Sequence, residues 1–196
     1  LKSTKEINNY FSELEQKRSE PSDKLVLIFP GYGQYSIVAG LVYLFGVDAR
    51  VFTSISECIT VMDSLSNSGK KYSQIYVGSH GGGKEGVLYS IDEKDESTVK
   101  NGFTNSLKKL IIPGKTQILF SACGGADDNG RFMKKFAEDT NTFVYSSEGA
   151  YDWIQNTSEG GIWMCPPTPK IEDDVTFVTM KYNMCKKVDS SPFNWI

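Results

Sequence analysis

The sequence predicts an α/β protein: a mostly parallel central sheet with helices on both faces, followed by an antiparallel C-terminal extension. Three observations carry that expectation. Short apolar runs recur, and Leu25-Val26-Leu27-Ile28-Phe29 is unbroken, as in a strand buried on both faces. Helical patterns alternate with these runs across short connections, the order that gives parallel strands joined by right-handed crossovers. Two of the runs empty into glycine-rich loops, Ser79-His80-Gly81-Gly82-Gly83 and Ser121-Ala122-Cys123-Gly124-Gly125. Open parallel sheets bind ligands outside the carboxyl ends of their strands.

The elements follow in order. Residues 4–18 are polar with apolar points at Ile7, Phe11 and Leu14, one stripe of an amphipathic helix. Residues 25–29 form the first strand and Pro30-Gly31-Tyr32-Gly33 the loop after it. Residues 36–45 read as a helix stopped by Gly46. Residues 49–53 give the second strand, and Ser54-Ile55-Ser56-Glu57 has a capping-box pattern opening a helix to about Asn67. The strand ending at His80 comes next. Residues 86–91 read as a small hairpin strand, 92–101 as a surface loop, and 103–112 as a helix closed by Pro113-Gly114. The strand ending at Cys123 follows, then a helix over 129–139 with Phe132, Met133 and Phe136 inward, then a strand over 142–145. The acidic stretch Ala126-Asp127-Asp128-Asn129-Gly130 lacks the full calcium-loop spacing and reads as helix capping. From Glu148 the alternation stops, and residues 160–164 and 175–182 read as strands of a flap or antiparallel extension. One domain over 1–196 is therefore expected: an N-terminal helix within 1–19, a parallel core over 24–147, and an extension over 148–196.

Composition narrows the function classes. Hydrophobic residues make up 39% and charged residues 23% of 196 residues, which suits one globular domain with a sizeable core. A net charge of −3 argues against nucleic acid or an anionic membrane as partner. The lysine pairs at 70–71, 108–109, 134–135 and 186–187 read as solvated helix ends. No apolar run is long enough to span a bilayer. The start, Leu1-Lys2-Ser3-Thr4-Lys5, shows neither a signal-peptide pattern nor an initiator methionine, so a fragment or processed product is expected. Of four cysteines, Cys58 lies in an apolar helical stretch and is expected to pack as a small hydrophobe. Cys165 and Cys185 could pair in an oxidising compartment, which the sequence does not decide. With one histidine and no CxxC spacing, neither a metal site nor any cofactor is expected.

His80 is the only histidine. Its strand end and that of Cys123 deliver an imidazole and a thiol to the same predicted sheet edge. A cysteine peptidase needs a thiolate, a base to make it and donors for the oxyanion. His80 can be the base that later protonates the leaving amine, and Cys123 the nucleophile. Glycines let a substrate carbonyl come close and expose N–H groups, so the Gly81 and Cys123 N–H groups are the candidate oxyanion donors. Other chemistries fit less well. Val77-Gly78-Ser79-His80-Gly81 has valine where a lipase elbow needs glycine. Gly31-Tyr32-Gly33 has no Walker lysine after it.

A strand ending in His-Gly, a helix, and a strand ending in Ala-Cys together resemble the caspase-like cysteine peptidases, over residues 24–147. The stretch from Asn129-Gly130-Arg131-Phe132 to Tyr145-Ser146-Ser147 is similar to bacterial members, including a domain of unknown function of large secreted bacterial proteins. The resemblance implies a caspase-like three-layer sandwich and a His80–Cys123 dyad acting on a protein or peptide substrate, with Gly81 N–H helping to bind the oxyanion. It allows self-processing or release from a longer polypeptide. The alternative is a catalytically inactive caspase-like module for binding or scaffolding. Legumain-like and clostripain-like enzymes carry an acid two positions before the cysteine, where this chain has Ser121. Strand alternation predicts that Ser121 faces substrate beside Cys123, so a small, polar or apolar residue is expected before the cut. Glu148 could reach the same pocket, and Asp152 and Trp153 could line it.

Overall fold

The computed structural model describes residues 3–28, 46–81, 88–89, 102–152, 157–167 and 185–195. The expected helix over 36–45, the loops over 30–33 and 92–101, most of the hairpin strand over 86–91, and the strand over 175–182 lie outside these residues. Among the described residues there are four α-helices: α1 (Thr4–Gln16), α2 (Ile55–Asn67), α3 (Thr104–Lys108) and α4 (Asp127–Thr140). The main strands are β1 (Lys24–Ile28), β2 (Asp48–Val51), β3 (Gln74–Gly78), β6 (Gln117–Ser121), β7 (Phe143–Ser147), β10 (Ile162–Cys165) and β11 (Lys186–Val188). Two-residue strands β4 (His80–Gly81), β5 (Leu88–Tyr89), β8 (Tyr151–Asp152) and β9 (Thr157–Ser158) pair as β4–β5 and β8–β9 outside the main sheet.

The seven-stranded sheet has the order β11-β10-β7-β6-β3-β1-β2. From β7 to β2 every pairing is parallel, and β10 joins β7 antiparallel, with β11 antiparallel beyond it. The expected α/β architecture with an antiparallel extension is therefore present. The outer strand of that extension is β11, which carries Lys186 and Lys187 in an exposed edge rather than at a helix end.

Alternation within each strand feeds two cores. Leu25, Leu27, Ile75, Val77, Ile118 and Phe120 pack with α2, α3 and α4. Val26, Ile28, Tyr76 and Leu119 pack on the opposite face with Ile7 and Phe11 of α1 and with Phe193 and Trp195. The first core is tied by rings: Phe120 meets Phe136 edge-on at 4.9 Å and Phe132 at 5.4 Å. Burial of that kind is the main stabilising contribution. Cys58 belongs to this core with no exposed surface, and burial, followed by the nearby Glu57 charge, pushes its thiol well up.

Caps and edges also follow from side-chain chemistry. Ser54 accepts the Glu57 N–H, but the Glu57 carboxylate reaches Thr53 and Thr4 rather than Ser54, so half the expected capping box forms. A complete box forms instead at Ser3 and Glu6. The β2 edge is covered by α1: Asn8 both donates to the Val51 carbonyl and accepts its N–H, each at 2.8 Å, while Glu15 accepts the Ala49 N–H at 3.1 Å. An edge satisfied this way cannot template another strand. Asp48 starts β2 fully buried, and Arg18 at 3.0 Å, Lys70 at 2.7 Å and the Tyr72 hydroxyl at 2.7 Å compensate its charge.

Candidate functional site

The site is assembled where β3 and β6 end. These neighbours are in parallel register, Gln74 opposite Gln117 through to Gly78 opposite Ser121. Ser79 N–H extends the ladder by bonding to the Ser121 carbonyl at 3.4 Å. His80 and Cys123 each stand two residues beyond the last register pair. The His80 backbone is held in β4, opposite Tyr89 of β5, and Gly81 lies opposite Leu88.

Cys123 is an exposed free thiol, and Cys58 is the buried one. The Cys123 turn is built from glycines for two separate reasons. Gly124 has φ +72°, a conformation that disfavours a Cβ. Gly125 lies so close to β7 that a Cβ would overlap the Ser146 side chain, whose own Cβ would be 2.8 Å away. Backbone bonds then fix the turn. Gly124 N–H donates to the Gly149 carbonyl at 2.8 Å, Gly125 N–H to Ala122 at 3.4 Å, Ala126 N–H to Ser147 at 2.9 Å and Asp127 N–H to Gly124 at 3.1 Å. Across residues 123–127, the Cys123 N–H is the one without an acceptor among the described residues. A donor with no acceptor among the described residues, beside an exposed thiol, is suited to an oxyanion site.

The sequence-selected residues separate here. Ser121 has no exposed surface, so it does not share an open surface with Cys123. Ser121 is the last residue of β6, opposite Gly78 of β3, and the chain leaves the strand at Ala122 before reaching Cys123. Glu148 is exposed, and its carboxylate accepts the Trp163 indole N–H at 3.0 Å. Its carbonyl takes Gly160 N–H at 2.9 Å and Ser158 Oγ at 3.2 Å, which fixes the turn after β7. Glu148 is joined to the cysteine loop through its neighbour Gly149. Asp152 is exposed in β8 opposite Thr157. Trp153 lies outside the described residues.

One residue with a part in this arrangement was read in the sequence only as part of a helix cap. Asp127 opens α4, and its Oδ1 accepts the Gly149 N–H at 3.0 Å. The acidic stretch around it was expected to cap α4. Instead the N-cap is Ala126, with no side-chain bond, and Asp127 reaches across to the turn after β7. The sequence signal was present, an acid at a helix start, but the N–H that donates to it lies on a distant segment.

No protein-family model, curated protein or solved structure matches this chain.

Proposed function

We propose that this chain is a cysteine endopeptidase of caspase-like fold, with Cys123 as nucleophile and His80 as its base. The observation that supports it most is positional. A histidine and an exposed cysteine follow by two residues the ends of adjacent, in-register parallel strands. In this reading His80 takes the thiol proton, and the thiolate attacks the peptide carbonyl carbon. The C–N bond of the tetrahedral intermediate then breaks while the imidazolium protonates the leaving amine. Water afterwards hydrolyses the acyl-enzyme, with His80 taking its proton. The Cys123 N–H, joined by Gly81 N–H, is the donor set for the oxyanion. The substrate class is a protein or peptide, including a longer polypeptide that contains this domain.

A peptide library incubated with wild type and with Cys123→Ala tests the reading by mass spectrometry of the products. Cleavage in the wild type alone supports the peptidase. Folded wild type that neither cleaves nor reacts at Cys123 faster than an ordinary exposed thiol supports the non-catalytic binding module instead.

A further inference from the structure

We propose that Asp127 is a positioning residue for Cys123, acting through the backbone of Gly149; this role rests on the peptidase reading above. Gly149 is gripped on both sides by the cysteine loop. Its carbonyl accepts the Gly124 N–H at 2.8 Å, and its N–H donates to Asp127 Oδ1 at 3.0 Å. Asp127 is itself tied back to that loop, because its N–H donates to the Gly124 carbonyl at 3.1 Å. Gly124 and Gly149 thus form a closed ring of three hydrogen bonds with Asp127.

The ring bears on the reacting group for a geometric reason. The N–H of Gly124 belongs to the peptide plane that starts at Cys123. Fixing its acceptor fixes that plane, and with it the backbone that carries the thiol and adjoins the Cys123 N–H. Placement to within a fraction of an ångström matters for attack and for oxyanion binding. A carboxylate suits the task twice over. Its bond to a backbone N–H is charge-assisted, and its place in the first turn of α4 favours negative charge. Gly124 and Gly149 both have positive φ, at +72° and +70°, and glycine backbone is conformationally permissive, so the carboxylate adds a further tie between the two turns.

The test compares wild type, Asp127→Ala, Asp127→Asn and Cys123→Ala on one peptide that the wild type cleaves. Asn keeps a carbonyl acceptor for the Gly149 N–H, and Ala removes it. Asp127→Ala should lower kcat by about tenfold or more, the worth of one charge-assisted hydrogen bond, with KM changed little. Asp127→Asn should recover most of the loss. In the wild type the Gly149 amide proton shift should move as the carboxylate is titrated with acid, and it should not do so in Asp127→Asn. That measurement needs no folded alanine variant. Equal losses in Ala and Asn, or a Gly149 amide that ignores the titration, would overturn the positioning role. If Cys123→Ala is inactive while Asp127→Ala cleaves like wild type, the peptidase reading stands and the role of Asp127 falls. If Cys123→Ala cleaves like wild type, the peptidase reading itself fails.

Discussion

His80 and Cys123 stand equally far past the same register pair, Gly78 opposite Ser121, on neighbouring parallel strands. That relationship needs only the sheet register, and mutagenesis can address the proposed pairing of the two residues. His80→Ala and Cys123→Ala should each abolish peptide cleavage. Cys123 is exposed, so its truncation removes little core packing and circular dichroism of that variant should be unchanged. The double variant should be no slower than either single one, because a nucleophile and its base act together. Full cleavage by either single variant would remove that residue from the mechanism.

Thiol chemistry gives a second measurement that needs no substrate. Cys123 is exposed, whereas Cys58 is enclosed and burial raises its titration further. Iodoacetamide should modify Cys123 in the native protein and leave Cys58 untouched until unfolding. If His80 activates the thiol, the rate against pH should follow the pair rather than one group. His80→Ala should then return the profile to that of an ordinary exposed cysteine. A profile identical in both proteins would show that the imidazole does not act on the thiol.

Much of this fold was legible because buried parallel strands leave a plain trace. The runs at 25–28, 75–77 and 118–120 are apolar without interruption, and both cores draw on them alternately. The strand ends that carry His80 and Cys123 were legible for the same reason. What the sequence hid depends on long-range partners. Asn8 and Glu15 look like ordinary polar helix residues, yet they complete the β2 edge. Asp127 looks like a helix cap until the turn at Gly149 comes beside it. Ser121 is fully buried at the end of β6, and alternation along the strand does not specify that burial.

The buried Asp48 network predicts a pH-dependent stability change. Tyr72→Phe removes the hydroxyl that donates to Asp48 Oδ2 at 2.7 Å and should cost about 1.5–3 kcal/mol at pH 7, as for bonds to charged groups. Burial first, and then the Asp48 charge, raises the Tyr72 hydroxyl well above its ordinary value of 10.0. The folded state therefore keeps the proton longer than the unfolded chain. Its contribution is complete below about pH 10 and is lost as pH rises beyond that value, by up to about 1.4 kcal/mol per unit. The stability gap between wild type and Tyr72→Phe should accordingly narrow between pH 7 and pH 11 in urea titrations. A gap that is constant or grows would contradict the assignment of the hydroxyl.

The disulfide predicts a separate effect. Cys165 and Cys185 are bonded across a sequence separation of 20, with Cα atoms 4.1 Å apart, and link the end of β10 to the start of β11. Closing a loop of that length restricts the unfolded chain by about 3 kcal/mol in the chain-entropy account. The Cys165→Ser, Cys185→Ser double variant should lose stability of that order in urea, measured without reductant. The same denaturation repeated with a thiol reductant should bring the wild type to the level of the variant. A variant as stable as the oxidised wild type would mean that the bond contributes nothing to folding.

The last prediction concerns the residue before the cut. Ser121 is buried, whereas Glu148 is exposed. The charged candidate beside the cysteine loop is Glu148, which adjoins Gly149 and therefore the Gly124–Gly149 hydrogen bond. Its carboxylate is exposed and held by Trp163, which fixes its direction without removing its charge. An exposed ion pair contributes about 0.2–1 kcal/mol, which corresponds to a preference of no more than about fivefold. Lys or Arg before the cut should thus be favoured mildly over a neutral residue of similar size, and not exclusively. The advantage should shrink as salt rises from 0.05 to about 1 M, where screening acts within about 3 Å. Glu148→Gln should erase it while leaving kcat/KM for neutral peptides unchanged. A preference beyond about fiftyfold that survives high salt would require a desolvated acid in a closed pocket, and Glu148 as it stands on this surface would then be the wrong residue.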